Sequence, residues 1–449
     1  MEHKSVAKII SWNIDCEAIC ASAAKISTTS GNAIEIFEKC KSNPQNTDLV
    51  KKVLQSGHRS VIEHAVFSIA FWDVSAFVEQ FLIECRLASF TVKSRRYVNF
   101  SNLGYFVPPA LSGKSLHLYC EYMDLLFSGY RSLLESGIPK EDARFLLPYS
   151  FCSNFYCTIN ARELINLISS IIYGRGQNVP ELQDIARQLI LQIGDIFPVL
   201  LSELDCQAGA PRHNCETLPF ILSKSLEFVY AEDAGSVQLL QAPLHPADIL
   251  KHAFSCMRPY SNSEFNIGQI VASDRPRESY TFAISNITLS GITHLVRHRM
   301  QSVLIPSIQT INHSCYIIPR SIQQDNKAND FYMRTLARAN DILTQVEKDD
   351  ALKKYGYYFA LSGNVMNVMT TINARELMLF IRLRSCNRAQ WEIHKVSTEM
   401  LTLLQQDFHE LFKYYGPTCV LKGACPEGNL SCGKMHEVIR EFQTLENSF

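Results

Sequence analysis

The sequence Thr-Ile-Asn-Ala-Arg-Glu-Leu occurs at residues 158–164 and again, unchanged, at residues 371–377. The second occurrence starts 213 residues after the first, which is close to half of the 449-residue chain. Seven identical residues in a row, in a chain without a low-complexity tract, indicate two copies of one domain. We therefore predict a tandem protein, with residues 1–225 as the first domain and residues 226–449 as the second.

The same offset holds upstream of the repeated heptapeptide. Residues 85–94 correspond to residues 298–307, and one Arg and two Ser recur in register. Residues 63–67 and 278–282 are more weakly similar and stand two residues out of register, as a short insertion or deletion would leave them. The repeat therefore has the length of a domain, unlike a solenoid unit of about 20–50 residues.

The composition is that of an ordinary globular protein, with 47% hydrophobic residues, 19% charged residues and a net charge of −1. A total charge near zero gives no sign of a nucleic-acid or membrane surface, so an anion site must be a local cluster. No run of 18 apolar residues is present, and the N-terminus lacks the apolar core of a signal peptide. The 15 cysteines are scattered and odd in number, which predicts reduced thiols in a cytoplasmic protein.

Each copy mixes helices with a few strands, which predicts the α+β class with a central mixed or antiparallel sheet. The pattern predicts strands at residues 6–10, 61–71 and 236–240, an extended segment at 97–107, helices at 74–83, 116–134 and 180–204, a domain end at 206–216 and a linker at 220–233. Asn160 is a good helix N-cap, with Glu163 three residues later as in a capping box, and Asn373 repeats it. A purely structural role as caps is one interpretation of both asparagines.

Three potential cations, Arg297, His298 and Arg299, end an apolar stretch with helical spacing. Arginine suits bidentate contacts with phosphate or carboxylate, and the hydroxyls of Ser302 and Ser307 add donors. The alternative interpretation is a solvated basic helix end, where cations also favour the helix dipole.

Other candidate anion ligands lie elsewhere in the chain. Arg384 stands about three helical turns after Asn373. Ser94 and Arg96 are two residues apart and would project to one side of an extended segment. Arg144 could hold an anion or pair with Glu141. Each of these arginines is open to the alternative of an ordinary salt bridge.

The remaining candidates favour structural interpretations. His64 is interpreted as a buried, hydrogen-bonded histidine in a strand. Cys419, Cys425 and Cys432 lack the tight spacing of a zinc finger, so we take them as packing residues and predict no metal site. The sequence holds no glycine-rich phosphate loop, nucleophile elbow or HExxH motif.

Taken together, these motifs resemble the flavin-dependent thymidylate synthases, whose pattern R-H-R-x-x-S-x-N-E-x-S-x-R precedes an N-A-R-x-L helix. The second copy carries Arg-His-Arg-x-x-Ser at residues 297–302, Ser307, the heptapeptide, and Leu-Arg-Ser-Cys-Asn-Arg-Ala-Gln-Trp-Glu-Ile at residues 383–393. The first copy contributes residues 57–64, 88–90 and 94–98. The resemblance covers nearly the whole chain, twice.

This resemblance implies an α+β fold, a homotetramer, and active sites at subunit interfaces that hold FAD and deoxyuridine monophosphate. NADPH reduces the flavin, methylenetetrahydrofolate supplies the carbon, and no protein nucleophile is needed. The protein then contributes positioning and electrostatics. Absence of a nucleophile motif agrees with this.

The resemblance also implies roles for individual residues. The catalytic set is Arg297, His298, Arg299 and Arg384. The substrate set is Ser94, Arg96, Arg144, Arg297, Arg384 and His294. The cofactor set is His64, Asn160, Arg162, Asn166, Arg297, His298, Arg299 and Asn373.

The two copies depart from the family pattern in complementary ways. The first has Glu84, Cys85 and Arg86 at the R-H-R positions and Ile171 at the position of Arg384. An acid where an anion should bind is disabling. The second has replacements at positions that the first retains: Gln309 for Arg96, Tyr357 for Arg144, Ser279 for His64 and Leu379 for Asn166. Both lack the Asn-Glu pair, having Thr91-Val92 and Leu304-Ile305 instead, which puts the usual flavin contact of that Glu in question.

We therefore hypothesise one complete anion clamp per chain, built from both copies. A homodimer would form a pseudo-tetramer that has two functional active sites in place of four and binds one FAD per chain. The alternatives are a catalytically inactive FAD- or nucleotide-binding protein and a methyltransferase for another pyrimidine nucleotide. A structural scaffold is disfavoured because the retained cations divide by site.

Overall fold

The computed structural model describes residues 4–207, 220–223, 225–257, 278–413 and 415–447. Ten strands are present in this part of the chain: β1 (Val6–Trp12), β2 (Val66–Ser75), β3 (Ala88–Val92), β4 (Cys152–Asn160), β5 (Glu227–Tyr230), β6 (Ser236–Gln241), β7 (Ser279–Thr288), β8 (Gln301–Leu304), β9 (Cys315–Ile318) and β10 (Val365–Asn373).

The helices surround these strands. Those of the first half are Cys16–Lys25, Ala33–Lys41, Asn46–Gln55, Ala76–Ile83, Gly113–Glu135, Lys140–Ala143, Ala161–Ile172, Pro180–Ile196 and Val199–Gln207. Those of the second are Pro246–Met257, Leu289–Leu295, Arg320–Gln323, Asn326–Val346, Asp350–Lys353, Gly356–Phe359, Ala374–Arg384, Trp391–Phe412, Thr418–Lys422 and Met435–Asn447. Short 3-10 turns span Arg59–His64, Arg144–Leu146, Ile308–Thr310 and Gly428–Leu430. The mixture confirms the predicted α+β class.

Two four-stranded antiparallel sheets share one strand order. The first runs β1-β2-β4-β3 and the second β6-β7-β10-β8. In each copy, the repeated heptapeptide ends a long strand and begins a helix, Ala161–Ile172 or Ala374–Arg384, which we call the heptapeptide helix. The long strand pairs with two neighbours, and its last residue, Asn160 or Asn373, is paired with Val66 or Ser279. The sheets thus repeat as the sequence does.

Even an irregularity of the sheet is repeated. Among the described residues, Asp73 and Asn286 have positive φ angles of 53° and 54° and stand at equivalent positions. Each backbone N–H donates to an asparagine side chain, Asn154 or Asn367, at 3.0 Å. Asp and Asn tolerate this left-handed conformation better than most residues do, so both copies use the same bulge.

In each copy, a buried glutamate accepts hydrogen bonds at the point where a strand, β2 or β7, ends and a helix begins. Glu181 accepts hydrogen bonds from the Ser75 backbone N–H at 2.8 Å, the Ser5 hydroxyl at 2.7 Å and the Tyr358 hydroxyl at 2.6 Å. Burial raises the pKa of Glu181, and these donors oppose that rise. Glu392 likewise accepts from the Thr288 backbone N–H at 2.7 Å.

The chain forms two compact units. The first is Met1–Phe220 with Thr335–Ala360, and the second is Ile221–Arg334 with Leu361–Phe449. The helix Asn326–Val346 therefore starts in the second unit and ends in the first. In the first unit, the Tyr122 hydroxyl donates to the Phe359 carbonyl at 2.8 Å, and Phe77 packs on Tyr357 with ring centroids 4.4 Å apart.

Several predicted boundaries were wrong. The helix expected at residues 180–204 breaks at Phe197, before Pro198, because proline lacks the N–H that a helix needs. The predicted linker contains β5, which pairs in parallel with β9. Residues 97–107 hold turns and one isolated bridge at Tyr105, with no strand. Of the predicted domain end at 206–216, residues 208–216 lie outside the described residues.

No helix in the described ranges is both long and apolar enough to cross a lipid bilayer.

Candidate functional site

Arg96 and Arg144 of the first unit converge on Glu141. The Arg96 guanidinium forms an ion pair with the Glu141 carboxylate. Arg144 donates from Nε to the Glu141 main-chain carbonyl at 3.0 Å. The Arg144 side chain is 2% exposed, and its Nη2 has no hydrogen-bond partner among the described residues. A buried guanidinium N–H without an acceptor fits a site that receives an anion.

A third guanidinium, missed in the sequence, belongs to this cluster. Arg95 is buried, pairs with Glu79 and lies over the Phe151 ring at 4.8 Å. The Ser153 hydroxyl donates to the same Glu79 carboxylate. Arg95 stands between two residues that the motif singled out, and nothing in its own spacing marked it as buried.

The pKa of Arg144 reflects this crowding. Burial, and next the positive charge of Arg95, lower the pKa of Arg144 to about 10. That value is still far above neutral, so Arg144 is a cation at physiological pH. The cluster therefore combines a desolvated charge with an unsatisfied donor.

Ser94 and Arg96 come together through a turn, and the predicted extended segment was wrong. Residues 95–97 form the turn, and the Ser94 hydroxyl accepts from the Arg96 backbone N–H at 3.3 Å. Serine side chains commonly bond the backbone two residues later, and this competes with extended structure.

In the second unit, Arg297, His298 and Arg299 follow the helix Leu289–Leu295 after a single residue, Val296. Arg297 and Arg299 are exposed, whereas His298 is 5% exposed. His294 lies in the last turn of that helix and is half-buried. The three predicted cations therefore point into different environments.

His298 joins two residues of the heptapeptide helix. Its Nδ1 lies 3.0 Å from Glu376 Oε1, and Arg384 donates from Nε to His298 Nε2 at 3.1 Å. The Phe380 ring packs edge-on against the imidazole, with centroids 4.9 Å apart. Arg384 is the last residue of the helix, as the three-turn spacing predicted. Sequence reasoning missed Glu376, although it stands in the repeated heptapeptide.

Both heptapeptide asparagines are N-caps. Asn160 and Asn373 each accept from the backbone N–H three residues later at 2.9 Å, which confirms the predicted caps. Asn373 also donates from Nδ2 to the Met300 carbonyl at 3.3 Å, which ties the helix start to the turn after His298.

The first-copy residues of the predicted cofactor set lie near the start of the first copy's own heptapeptide helix, Ala161–Ile172. Arg162 pairs with Glu63 at 2.5 Å, and Asn166 donates to Glu163 at 3.2 Å. His64 ends a 3-10 turn and is exposed, so its interpretation as a buried strand histidine was wrong. The strand begins only at Val66, because the 3-10 turn occupies the preceding residues.

In the first copy, the region that corresponds to Arg297, His298 and Arg384, which we call the corner, makes contacts of its own. Glu84 pairs with Arg175, whose guanidinium also lies over the Phe81 ring at 4.4 Å. Burial, and then the charge of Glu163, raise the pKa of Cys85 to about 11. Ile171 is fully buried. This corner has a paired acid, a protonated thiol and an aliphatic side chain where the second copy has Arg297, His298 and Arg384.

Comparison with known proteins identifies the family. The model of the Thy1 family, described as thymidylate synthase complementing protein, matches residues 8–199 and again residues 277–408. The chain belongs to this family. The predicted family is thereby confirmed, and with it the prediction of an enzyme and of two copies of this fold.

Curated relatives agree. A flavin-dependent thymidylate synthase of Clostridium tetani is 34% identical over 178 residues, covering 36% of this chain and 71% of the relative. That of Saccharolobus solfataricus is 31% identical over 195 residues, covering 43% and 74%. The crystal structure of PolB, a UMP/dUMP methylase from Streptomyces cacaoi, is 22% identical with a TM-score of 0.38, covering 46% of this chain and 96% of PolB. That likeness is too distant to bear on function.

No group of three or more His, Cys, Asp or Glu that could hold a metal ion occurs among the described residues of this Thy1 chain. Cys419, Cys425 and Cys432 are free thiols.

Proposed function

We propose that this protein is a flavin-dependent thymidylate synthase. It would methylate deoxyuridine monophosphate reductively to thymidine monophosphate, with methylenetetrahydrofolate as carbon donor and NADPH as reductant. The family membership supports this reaction class. The curated relatives carry the same activity in their names.

The observation that carries the proposal is the division of cations between the copies. The first copy retains Arg96 and Arg144, and a buried N–H of the Arg144 guanidinium has no acceptor within the described part of the chain. The second retains Arg297 and Arg384. We propose that these arginines and Ser94 bind the nucleotide phosphate in one composite site, with His294 near the substrate. Charge-assisted contacts of this kind contribute about 1.5–3 kcal/mol each.

The residues also fit a bound flavin adenine dinucleotide. Its diphosphate needs cations, and Arg162, Arg297 and Arg299 offer guanidinium groups at least partly open to solvent. The remaining side chains of the proposed flavin site are His64, Asn160, Asn166, His298 and Asn373. The flavin, when bound, supplies hydride chemistry that no side chain can provide.

The side chains then have positioning tasks. Arg384 and Arg297 would orient the phosphate and hold the pyrimidine in register with the flavin. Their positive charge would also stabilise negative charge that develops on the pyrimidine during transfer. No residue of the chain needs to act as a nucleophile.

The composite site implies an assembly. We propose a homodimer that forms a pseudo-tetramer with one FAD per chain. The described cysteines are free thiols, which fits a reducing cytoplasm.

The central test removes one arginine from each copy. Arg96→Ala and Arg297→Ala should each weaken binding of deoxyuridine monophosphate, measured by calorimetry, by about 10- to 150-fold. Arg131→Ala is the control, because Arg131 is an exposed arginine of the helix Gly113–Glu135 that belongs to none of these motifs. If either single change leaves binding intact, the composite site is wrong. Two FAD per chain would also contradict it.

A second candidate is favoured by the missing Asn-Glu pair. Val92 and Ile305 stand at the positions of that Glu, and neither side chain can replace a carboxylate. A protein without that carboxylate could hold the nucleotide without methylating it, or could accept another pyrimidine nucleotide. Assay of methyl transfer to deoxyuridylate and to uridylate, side by side, separates these cases. Transfer to deoxyuridylate supports the first proposal, and transfer to neither nucleotide supports the binding protein.

A further inference from the structure

The imidazole of His298 lies between a donor and a carboxylate, and this fixes where its proton sits. Arg384 Nε can only donate, because a guanidinium has no acceptor. His298 Nε2, at 3.1 Å, must therefore be the acceptor. The ring proton is then on Nδ1, which donates to Glu376 Oε1 at 3.0 Å. The three side chains therefore form a hydrogen-bonded row in which His298 lies between Arg384 and Glu376.

This row of side chains is largely removed from water. His298 is 5% exposed and the Glu376 side chain is 11% exposed. Hydrogen bonds strengthen in such an environment, and a partner with the wrong protonation state becomes costly. The Phe380 ring further restricts the orientation of the imidazole.

We propose that Glu376 is a positioning residue for the anion site. It holds His298 in the Nδ1–H form, so that Nε2 anchors the guanidinium of Arg384 at the end of its helix. The role in substrate binding rests on the proposed function. The link between Glu376 and the imidazole does not.

The first copy provides an internal comparison. Glu163 stands in the same heptapeptide, and its backbone N–H is capped by Asn160 as that of Glu376 is by Asn373. Its carboxylate, however, accepts from Asn166 at 3.2 Å. The positions of His298 and Arg384 are held by Cys85 and Ile171. The carboxylate at the helix start is common to both copies, and only the second copy gives it an imidazole to hold.

The test is Glu376→Leu with Glu163→Leu as its matched control. Both changes remove an acidic residue from the first turn of a heptapeptide helix and leave the cap intact, since the cap uses the backbone N–H. The direct readout is ¹⁵N NMR of histidine-labelled, nucleotide-free protein, with the His298 signal assigned through a His298→Gln variant. We expect Glu376→Leu to move the proton of His298 off Nδ1, and Glu163→Leu to leave the signal unchanged.

The second readout is affinity for deoxyuridine monophosphate. Glu376→Leu should weaken it about tenfold, from the loss of one charge-assisted hydrogen bond in the row. Glu376→Gln keeps an acceptor oxygen and should restore both the tautomer and most of the affinity. Glu163→Leu should bind as the unaltered protein does.

The outcomes separate the two proposals. An unchanged His298 signal in Glu376→Leu, or an equal loss of affinity in Glu163→Leu, overturns the positioning role. If the signal moves but the unaltered protein binds no deoxyuridylate, the link to His298 is supported and the proposed function fails.

Discussion

The same corner of the fold is built twice in this chain, with opposite chemistry. In the second copy, Arg297 and Arg299 are exposed and His298 connects Arg384 to Glu376. In the first copy, Glu84 is neutralised by Arg175, and Ile171 fills the place of the helix-end arginine. Both copies keep the same backbone framework in this region, but only the second copy keeps the arginines and the histidine of the family pattern.

Residues retained in both copies mark what the framework needs. They are the bulge residues Asp73 and Asn286, the caps Asn160 and Asn373, and the buried glutamates Glu181 and Glu392. The residues that differ carry charge at the corner. An internal duplication thus separates architectural from functional positions without any second sequence.

The largest effect is expected when the arginine is restored in the first copy. Ile171→Arg places a cation at a fully buried position, which should cost more than about 3 kcal/mol of unfolding free energy. Urea denaturation followed by tryptophan fluorescence measures the loss.

The reciprocal change, Arg384→Ile, should leave the urea transition nearly unchanged, because Arg384 is half-buried at a helix end. It should weaken nucleotide binding by about 10- to 150-fold, as loss of one charge-assisted phosphate contact does. Full stability of Ile171→Arg would mean that the first corner is still an open site.

A smaller effect, present in both copies, is expected at the buried glutamates Glu181 and Glu392. Glu181→Ala leaves the buried N–H of Ser75 without its acceptor, and Glu392→Ala does the same to Thr288. Each orphaned group should cost about 1–3 kcal/mol in denaturation experiments, and the exposed Glu135→Ala should cost nothing measurable. Loss in only one variant would contradict a shared architectural role.

The Glu181 variant also has an expected pH dependence. The raised pKa of Glu181 means that the folded chain holds this proton more tightly than the unfolded chain does. Its contribution to stability is therefore greatest below the ordinary carboxyl pKa and declines as pH rises through the raised value. The difference between Glu181→Ala and the unaltered protein should shrink accordingly from mildly acidic pH toward neutral.

The smallest effect concerns the thiol that replaces the histidine. With a pKa of about 11, about one Cys85 side chain in a thousand is a thiolate at pH 8. Iodoacetamide at that pH should leave Cys85 unmodified while the exposed Cys256 reacts, as peptide mapping would show. Labelling of Cys85 at the rate of Cys256 would instead make it a reactive group.

Much of this organisation could be predicted because it is local. The heptapeptide indicated the repeat, Asn160 and Glu163 predicted a cap that forms, and the spacing from Asn373 placed Arg384 about three turns along its helix, where it lies. Caps and helical periods depend on residues within a few positions of one another.

The errors arose where distant contacts decide the structure. β5 forms only because β9, nearly ninety residues later, pairs with it in parallel. Burial of Arg95 and Glu79 depends on a tertiary ion pair that no spacing reveals. Glu376 was overlooked because its cap position explained it fully, and its second partner comes from another element.

The helix Asn326–Val346 limits where the chain could be cut into two halves. Because its C-terminal part and the following segment to Ala360 belong to the first unit, a gene cut at its midpoint would encode a first half without the aromatic rings that cover Phe77 and Tyr122. We therefore expect a first half that ends at this midpoint to be less stable than the same residues in the whole chain.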